Sequence, residues 1–184
     1  MKSIRWLALA SVAWLACSGI RVSTDYDPSA DFSNLGSYAW FDERSGVQGD
    51  RPDVSSLLDR RIRSAVDGEL SQKGIESVDK NSAKMLVSYH LGVESKLDVN
   101  TMDTGYGYGR YGRYSSIGTT TTVTEYQEGT LLIDVIDPVS KQLIWRGSGQ
   151  ARVREWSTPE DREKRIHEAV KEILAEFPPG AKKG

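Results

Sequence analysis

Two histidines and a single cysteine limit the side-chain chemistry open to this 184-residue chain. His90 lies in "KMLVSYHLGVESKL", where strand alternation puts Ser88 on the same face. If the hairpin around "DPVSK" pairs beside that strand, Asp134, Arg146 and Ser148 join the face, and a serine, a histidine and an aspartate on one surface are the parts of a hydrolase. Nucleophilic catalysis also needs a base within hydrogen-bond reach of the serine, oxyanion donors and a pocket, and nucleophiles commonly sit at sharp turns. No GxSxG elbow occurs in the chain. The polar outer face of a half-covered antiparallel sheet accounts for the same alternation. On that reading Asp134 and Arg146 form a cross-strand ion pair contributing about 0.2–1 kcal/mol.

A zinc site would draw on His90, on His167 at the border of a helical apolar stripe, and on one cysteine, which is too few N and S ligands. "DVNTMD" from Asp98 starts like a calcium loop. It then has Met102 at a ligand position, Asp103 where glycine is needed and Gly109 where the bidentate glutamate belongs. Neither a metal nor a cofactor is expected.

The stretch "DTGYGYGRYGRYSSIG", residues 103–118, matches GxGxxG at Gly107, Gly109 and Gly112. A dinucleotide cradle needs those glycines to open a helix directly after a strand, whereas "RYSSIGTTTT" follows here. The match is accidental on that ground. What remains is a flexible connection over residues 98–118 carrying Tyr106, Tyr108, Arg110, Tyr111, Arg113 and Tyr114, groups of the kind enriched in paratopes. It is either slack chain or a contact for an envelope protein or glycan.

The elements that must position these residues are readable from period and punctuation. "IRVSTDY" and "SYAWF" are short strands separated by the turn-rich "DPSADFSNLGS". From Val54 to Lys73, Leu58, Ile62, Ala65, Val66 and Leu70 make one apolar helical stripe, with Asp53 or Ser56 to cap its start and Gly74 its end. A strand over Lys84–Leu97, a threonine-rich strand "TTTTVTEYQ", and the hairpin "EGTLLIDVIDP"/"KQLIWRGSGQARV" follow. The closing helix, Pro159 to Phe177, carries Ile166, Val170, Ile173, Leu174 and Phe177 on one arc behind a Thr158/Asp161 capping box. Its apolar arc needs a partner surface, and the sheet face of Val87, Tyr89, Leu131, Ile133, Leu143 and Trp145 is the one available. The architecture expected is α+β: a single domain with a mainly antiparallel sheet and two helices packed on one face.

The chain opens "MKSIRWLALASVAWLACSG", with basic residues, an apolar run from Trp6 to Ala16, then Cys17. The run is shorter than the about 20 residues a membrane span needs and fits an export signal over residues 1–16. Cys17, preceded by Ala16, resembles the lipobox cysteine of bacterial lipoproteins, which is acylated and becomes the mature N-terminus. Trp14 departs from the small or aliphatic residue usual three positions before it. The resemblance implies a lipidated N-terminus at residues 17–19, and Ser18 in place of aspartate implies sorting to the outer membrane, periplasmic face. The alternative is a soluble periplasmic protein with a free thiol. Residues 20–179 form the domain and 180–184 a disordered tail. Net charge is −2, with basic and acidic residues interleaved throughout, so a nucleic-acid partner is not expected.

Four blocks in order, "VSTDYDPSADFSNLGSYAWF" (22–41), "AKMLVSYHLGVESK" (83–96), "EGTLLIDVIDPVSKQLIWRGSG" (128–149) and "RIHEAVKEILAEFPP" (165–179), resemble the bacterial lipoprotein family catalogued as domain of unknown function 4136. The resemblance implies an envelope lipoprotein with a compact α+β domain and no established activity. Its recurrent positions are Tyr26, Asp27, Phe32, Tyr38, Trp40, Gly129, Asp134, Trp145, Arg146 and Gly147, and it supplies no catalytic residues. The reading favoured is a membrane-anchored, non-catalytic binding or assembly module. A secreted hydrolase centred on His90 and a lipid-handling module are the alternatives.

Overall fold

Apolar residues recur at every second position of the central strands, and that period sorts the sheet into two unlike faces. A computed structural model of the protein describes residues 19–42, 45–47, 52–103, 119–153 and 158–180. In chain order these form β1 (Arg21–Tyr26), β2 (Ser37–Trp40), β3 (Gly46–Val47), α1 (Pro52–Gln72), β4 (Glu76–Ser77), β5 (Met85–Asp103), β6 (Thr119–Ile136), β7 (Leu143–Arg152) and α2 (Pro159–Leu174). The strands make one mixed sheet in the order β1-β7-β6-β5-β2-β4, with β3 also against β5. β1, β7, β6 and β5 run antiparallel each to the next, and β2 and β3 are added parallel to β5 and β4 parallel to β2.

Both helices lie on one face, as the sequence leads one to expect. Ile62, Ala65, Val66 and Leu70 of α1 and Val170, Ile173 and Leu174 of α2 are buried against Tyr38, Met85, Val87, Tyr89, Leu131, Ile133, Val135 and Trp145. Phe177, just past the end of α2, completes the core and meets the Trp145 ring edge-on at 5.0 Å. The Thr158 hydroxyl accepts from the Asp161 N–H while the Asp161 carboxylate accepts from the Thr158 N–H, the expected capping box. Gly74 ends α1 with φ 74°, and the Ile75 N–H returns to the Leu70 carbonyl at 3.0 Å. Helix α1 begins at Pro52, so Asp53 and Ser56 lie within its first turns and not at the position that precedes it.

Three expectations are corrected. Leu143 does not join the core: a register shift between Val135 and Ile136 sets it opposite Ile136, where it is exposed. The threonine-rich stretch and "EGTLLIDVI" are one continuous strand, β6. Asp98–Asp103, read as the start of a flexible loop, extend β5, pairing position by position with Thr124–Thr119. Because β2 and β3 reach only to Leu91 and β7 stops opposite Glu128, β5 and β6 run on beyond the sheet body as a two-stranded ribbon.

The seat of α2 on β7 depends on two residues without side chains. A Cβ on Gly147 would lie 2.4 Å from Ile173 Cγ2 and 2.5 Å from Trp145 Cη2, and one on Gly149 would lie 2.8 Å from Ile173 Cδ1. The seat of α1 is fixed by polar groups instead. Asp59, Arg63 and Asp67 follow one another at one-turn spacing along the border of its apolar stripe. Asp59 Oδ1 accepts from the Tyr89 hydroxyl at 2.5 Å and from Arg63 Nε at 2.9 Å. Asp67 Oδ1 accepts from the Tyr38 hydroxyl and from Trp40 Nε1 at 3.0 Å. Arg63 stacks over Trp40, 4.6 Å from the ring centroid, and pairs with Asp42 at 2.8 Å. Burial alone would raise the Asp59 carboxyl. The hydrogen bonds from Tyr89 and Arg63 and the Arg63 charge outweigh it and hold the group below its ordinary 3.8.

Three outcomes are expected. Gly147→Ala forces Ile173 or Trp145 to move and is expected to cost about 1–3 kcal/mol in urea unfolding. Gly68→Ala, on the exposed side of α1 with nothing within 4 Å, is expected to gain about 0.4–1 kcal/mol. An unchanged midpoint for Gly147→Ala would show that the seam has slack. For Asp59 the folded-state value is depressed, so its contribution is present above pH 3.8 and is lost as pH falls through that lower value. Asp59→Asn should therefore be less stable than the parent at neutral pH, with the gap closing in acid. A gap that stayed constant between pH 7 and acid would contradict this assignment.

Candidate functional site

The face turned away from the helices carries the residues whose types suggested chemistry. Cross-strand register places Ser88 opposite Asp134, Asp134 opposite Arg146 and Arg146 opposite Asp25 in one row, and His90, Leu132, Ser148 and Ser23 in the row alongside. The structure thus brings Ser88, His90, Asp134, Arg146 and Ser148 to one face, as alternation predicts. Asp134 is buried, and Arg146 grips both its oxygens, Nε to Oδ1 and Nη2 to Oδ2, each at 2.6 Å. This bidentate fork spends the arginine on a neighbouring strand. Ser88 is fully buried, and its Oγ has no hydrogen-bond partner among the described residues. His90 is exposed, and Leu132 stands between it and Ser148 in their row. A serine with no base on its hydroxyl is not an activated nucleophile.

Toward the ribbon the same face becomes a strip of ion pairs. Glu128, buried at the ribbon's base, accepts from Arg21 of β1 and Lys96 of β5. The Lys96 hydrogen bond, against the opposing effect of burial and with help from Arg21, holds its carboxyl below the ordinary 4.5. Arg152 pairs with Asp98 at 2.8 Å and lies 4.0 Å from the Tyr126 ring centroid. Nothing in the spacing of Arg21, Lys96 and Glu128 announced this cluster, because it spans three strands. The line Asp59, Arg63, Asp67 was visible as a helical period, but its partners Tyr38, Trp40 and Tyr89 come from the sheet.

At the opposite end of the sheet, a shallow hollow of about 350 Å³ is bordered by two Asp-Pro turns. Asp27 Oδ1 accepts from the N–H and hydroxyl of Ser29, at 2.8 and 2.7 Å. Asp137 Oδ1 accepts from the N–H groups of Val139 and Ser140 and from the Ser140 hydroxyl. Both carboxylates are committed to shaping turns. A lipid-handling module would need an apolar groove between the helices and the sheet; along the α2–β7 part of that interface Ile173 packs directly over Gly147 and Gly149. Among the described residues no three His, Cys, Asp or Glu side chains converge as a metal site would require, and no helix is long and apolar enough to cross a membrane. His167 is exposed on α2.

Cys17 and the set Tyr106, Tyr108, Arg110, Tyr111, Arg113 and Tyr114 lie outside the described residues. The positions that carried the family resemblance have structural roles. Tyr26, Phe32, Phe177 and Trp145 form a chain of edge-on aromatic contacts. Tyr38 and Trp40 hold Asp67, Asp134 and Arg146 hold each other, and Gly147 admits Ile173.

No curated protein matches the chain. Among solved structures, a PDZ domain protein from Parabacteroides distasonis superposes with a TM-score of 0.54 at 11% identity, over 89% of this chain and 37% of that one. The likeness is one of fold alone, and the chain spans little more than a third of that protein. A DUF4136 family protein from Bacteroides thetaiotaomicron gives a TM-score of 0.48 at 14% identity, over 87% of this chain and 96% of that one. The PelC dodecamer from Paraburkholderia phytofirmans gives 0.48 at 11% identity, over 85% and 95%. The profile of one family, described as a domain of unknown function, matches residues 22–179, from β1 to the residues after α2. This chain therefore belongs to the DUF4136 family.

Proposed function

We propose that the protein is an envelope lipoprotein, held by an acylated Cys17 at the periplasmic face of the outer membrane and acting there as a non-catalytic binding or assembly module. The observation that carries this reading is the sequence at the start of the chain. An export-type apolar run ends at the only cysteine, and β1 begins at Arg21, four residues later. At about 3.3–3.6 Å per residue, that connection keeps the sheet within about 14 Å of the tether. Each buried methylene contributes about 0.8 kcal/mol, so several acyl chains make release from the bilayer negligible.

The non-catalytic part of the proposal is supported by how the polar residues are used. Asp134 and Arg146 bind each other, and Ser88 is buried without a base. The partner contacts proposed are Tyr106, Tyr108, Arg110, Tyr111, Arg113 and Tyr114, with an envelope protein or a glycan as the class of partner.

Cys17→Ala is expected to move the protein from the membrane fraction to the soluble periplasm and to remove incorporation of labelled fatty acid. Retention in the membrane with unchanged mass and no label in the parent would end the tether proposal. Crosslinking in intact envelopes with the tether present should capture a partner that is lost when residues 104–118 are deleted. Capture that survives the deletion would move the contact to another surface.

A further inference from the structure

Strand β1 ends the sheet on one side, and the backbone groups on its outer edge are arranged in a pattern that only some partners can match. Asp27 donates its N–H to the Ile144 carbonyl at 3.0 Å, one position beyond the opposed pair Tyr26 and Trp145. Antiparallel strands alternate bonded and non-bonded pairs, so Arg21, Ser23 and Asp25 turn their backbone groups toward β7 while Val22, Thr24 and Tyr26 turn theirs outward. The outward Tyr26 N–H is already taken by Asp25 Oδ1 at 2.9 Å. Outward pairing groups therefore remain at Val22 and Thr24. The strand is exposed along its length except at Val22, whose side chain packs on the core.

We infer that β1 pairs antiparallel with β1 of a second copy about a two-fold axis at Ser23, joining two sheets into one. Centring on Ser23 sets Val22 of each copy opposite Thr24 of the other, and both N–H and both C=O groups of those residues are matched in both directions. Centring on Thr24 would instead oppose Val22 to Tyr26 and require the N–H that Asp25 occupies. The Ser23 register also sets Arg21 opposite Asp25 of the second copy, twice per dimer. These are non-bonded pairs on the outer edge, where Cα atoms approach to about 4.5 Å and side chains are closest. Arg21 reaches across β7 to Glu128, so meeting Asp25 of the second copy requires its head to swing outward, leaving Glu128 to Lys96. Open edge strands usually carry devices against self-pairing. Here the charges, spaced four residues apart with opposite sign, make the edge complementary to itself. A six-residue edge is small against the roughly 800 Å² per partner of a stable dimer, so the association is expected to depend on concentration.

The test is oxidative crosslinking of the full chain carrying a single added cysteine, with the parent chain oxidised in parallel to show any dimer formed through Cys17. Ser23→Cys should give a disulfide-linked dimer well above the parent, and Thr24→Cys should not. Adding Asp25→Arg to Ser23→Cys sets guanidinium against guanidinium and should lower the dimer about tenfold, with an unchanged circular dichroism spectrum; Asp25→Asn should lower it less. Ser23→Cys at the parent level overturns the pairing, and so does crosslinking at Thr24→Cys in place of Ser23→Cys. Crosslinking that Asp25→Arg leaves untouched overturns the charge match.

Discussion

Helix α2 sits on β7 only because Gly147 and Gly149 present bare backbone where Ile173 descends. That contact sets the depth of the whole helical layer. With Ile173 seated, Val170 and Leu174 reach the sheet, and the chain leaving α2 delivers Phe177 against Trp145 and Phe32. Phe32 in turn meets Tyr26 at the end of β1, so the loop between β1 and β2 is pinned by a side chain from the far end of the sequence. Native packing tolerates little slack, and a single misplaced methyl would be transmitted along this aromatic chain. Helix α1 is held by another means. Two carboxylates at its border accept from tyrosine and tryptophan donors that rise from β2 and β5. The first seat is steric and the second is directional.

Among the described residues no helix or strand covers the face opposite the helices, yet Ser88, Asp134 and Glu128 are buried there. Long side chains supply the cover. Arg146 folds over Asp134, and Arg21 and Lys96 converge on Glu128, so the stems shield what the charged ends neutralise. A buried carboxylate left without its arginine would be costly, which is reason enough for the chain to keep the pair without any reaction to perform. Membership of the DUF4136 family fits this division, since the positions shared across the resemblance are those that build seats, turns and ion pairs.

Much of this was legible in the chain because the signals were local. The stripe Ile62, Ala65, Val66, Leu70, the capping box of Thr158 and Asp161, and the alternation that grouped Ser88 with Asp134 and Arg146 each sit within one element or one hairpin. The misses needed information from elsewhere. Asp98, Asn100 and Asp103 are turn formers by composition, and they become strand because each is paired with a β-branched threonine of β6: Thr124, Thr122 and Thr119. The shift that exposes Leu143 arises in the pairing of two strands and leaves no mark on either alone. Two-residue strands such as β3 and β4 are too short to show any period. The tyrosine partners of Asp59 and Asp67 depend on which strand lies beneath the helix, a tertiary choice.

The ribbon formed by the far halves of β5 and β6 differs in energetic character from the body it leaves. Leu97, Val99 and Val123 stand exposed along it, and no third strand or helix backs it among the described residues. A two-stranded ribbon in water has little stability of its own. Its cross-strand hydrogen bonds can therefore open and close while the helix-backed sheet stays intact, a sub-global equilibrium with a free energy well below that of unfolding. The ion pairs at Glu128 and Arg152 mark the hinge of that opening, so the protein behaves as a rigid block carrying one arm that melts first and re-forms from its root.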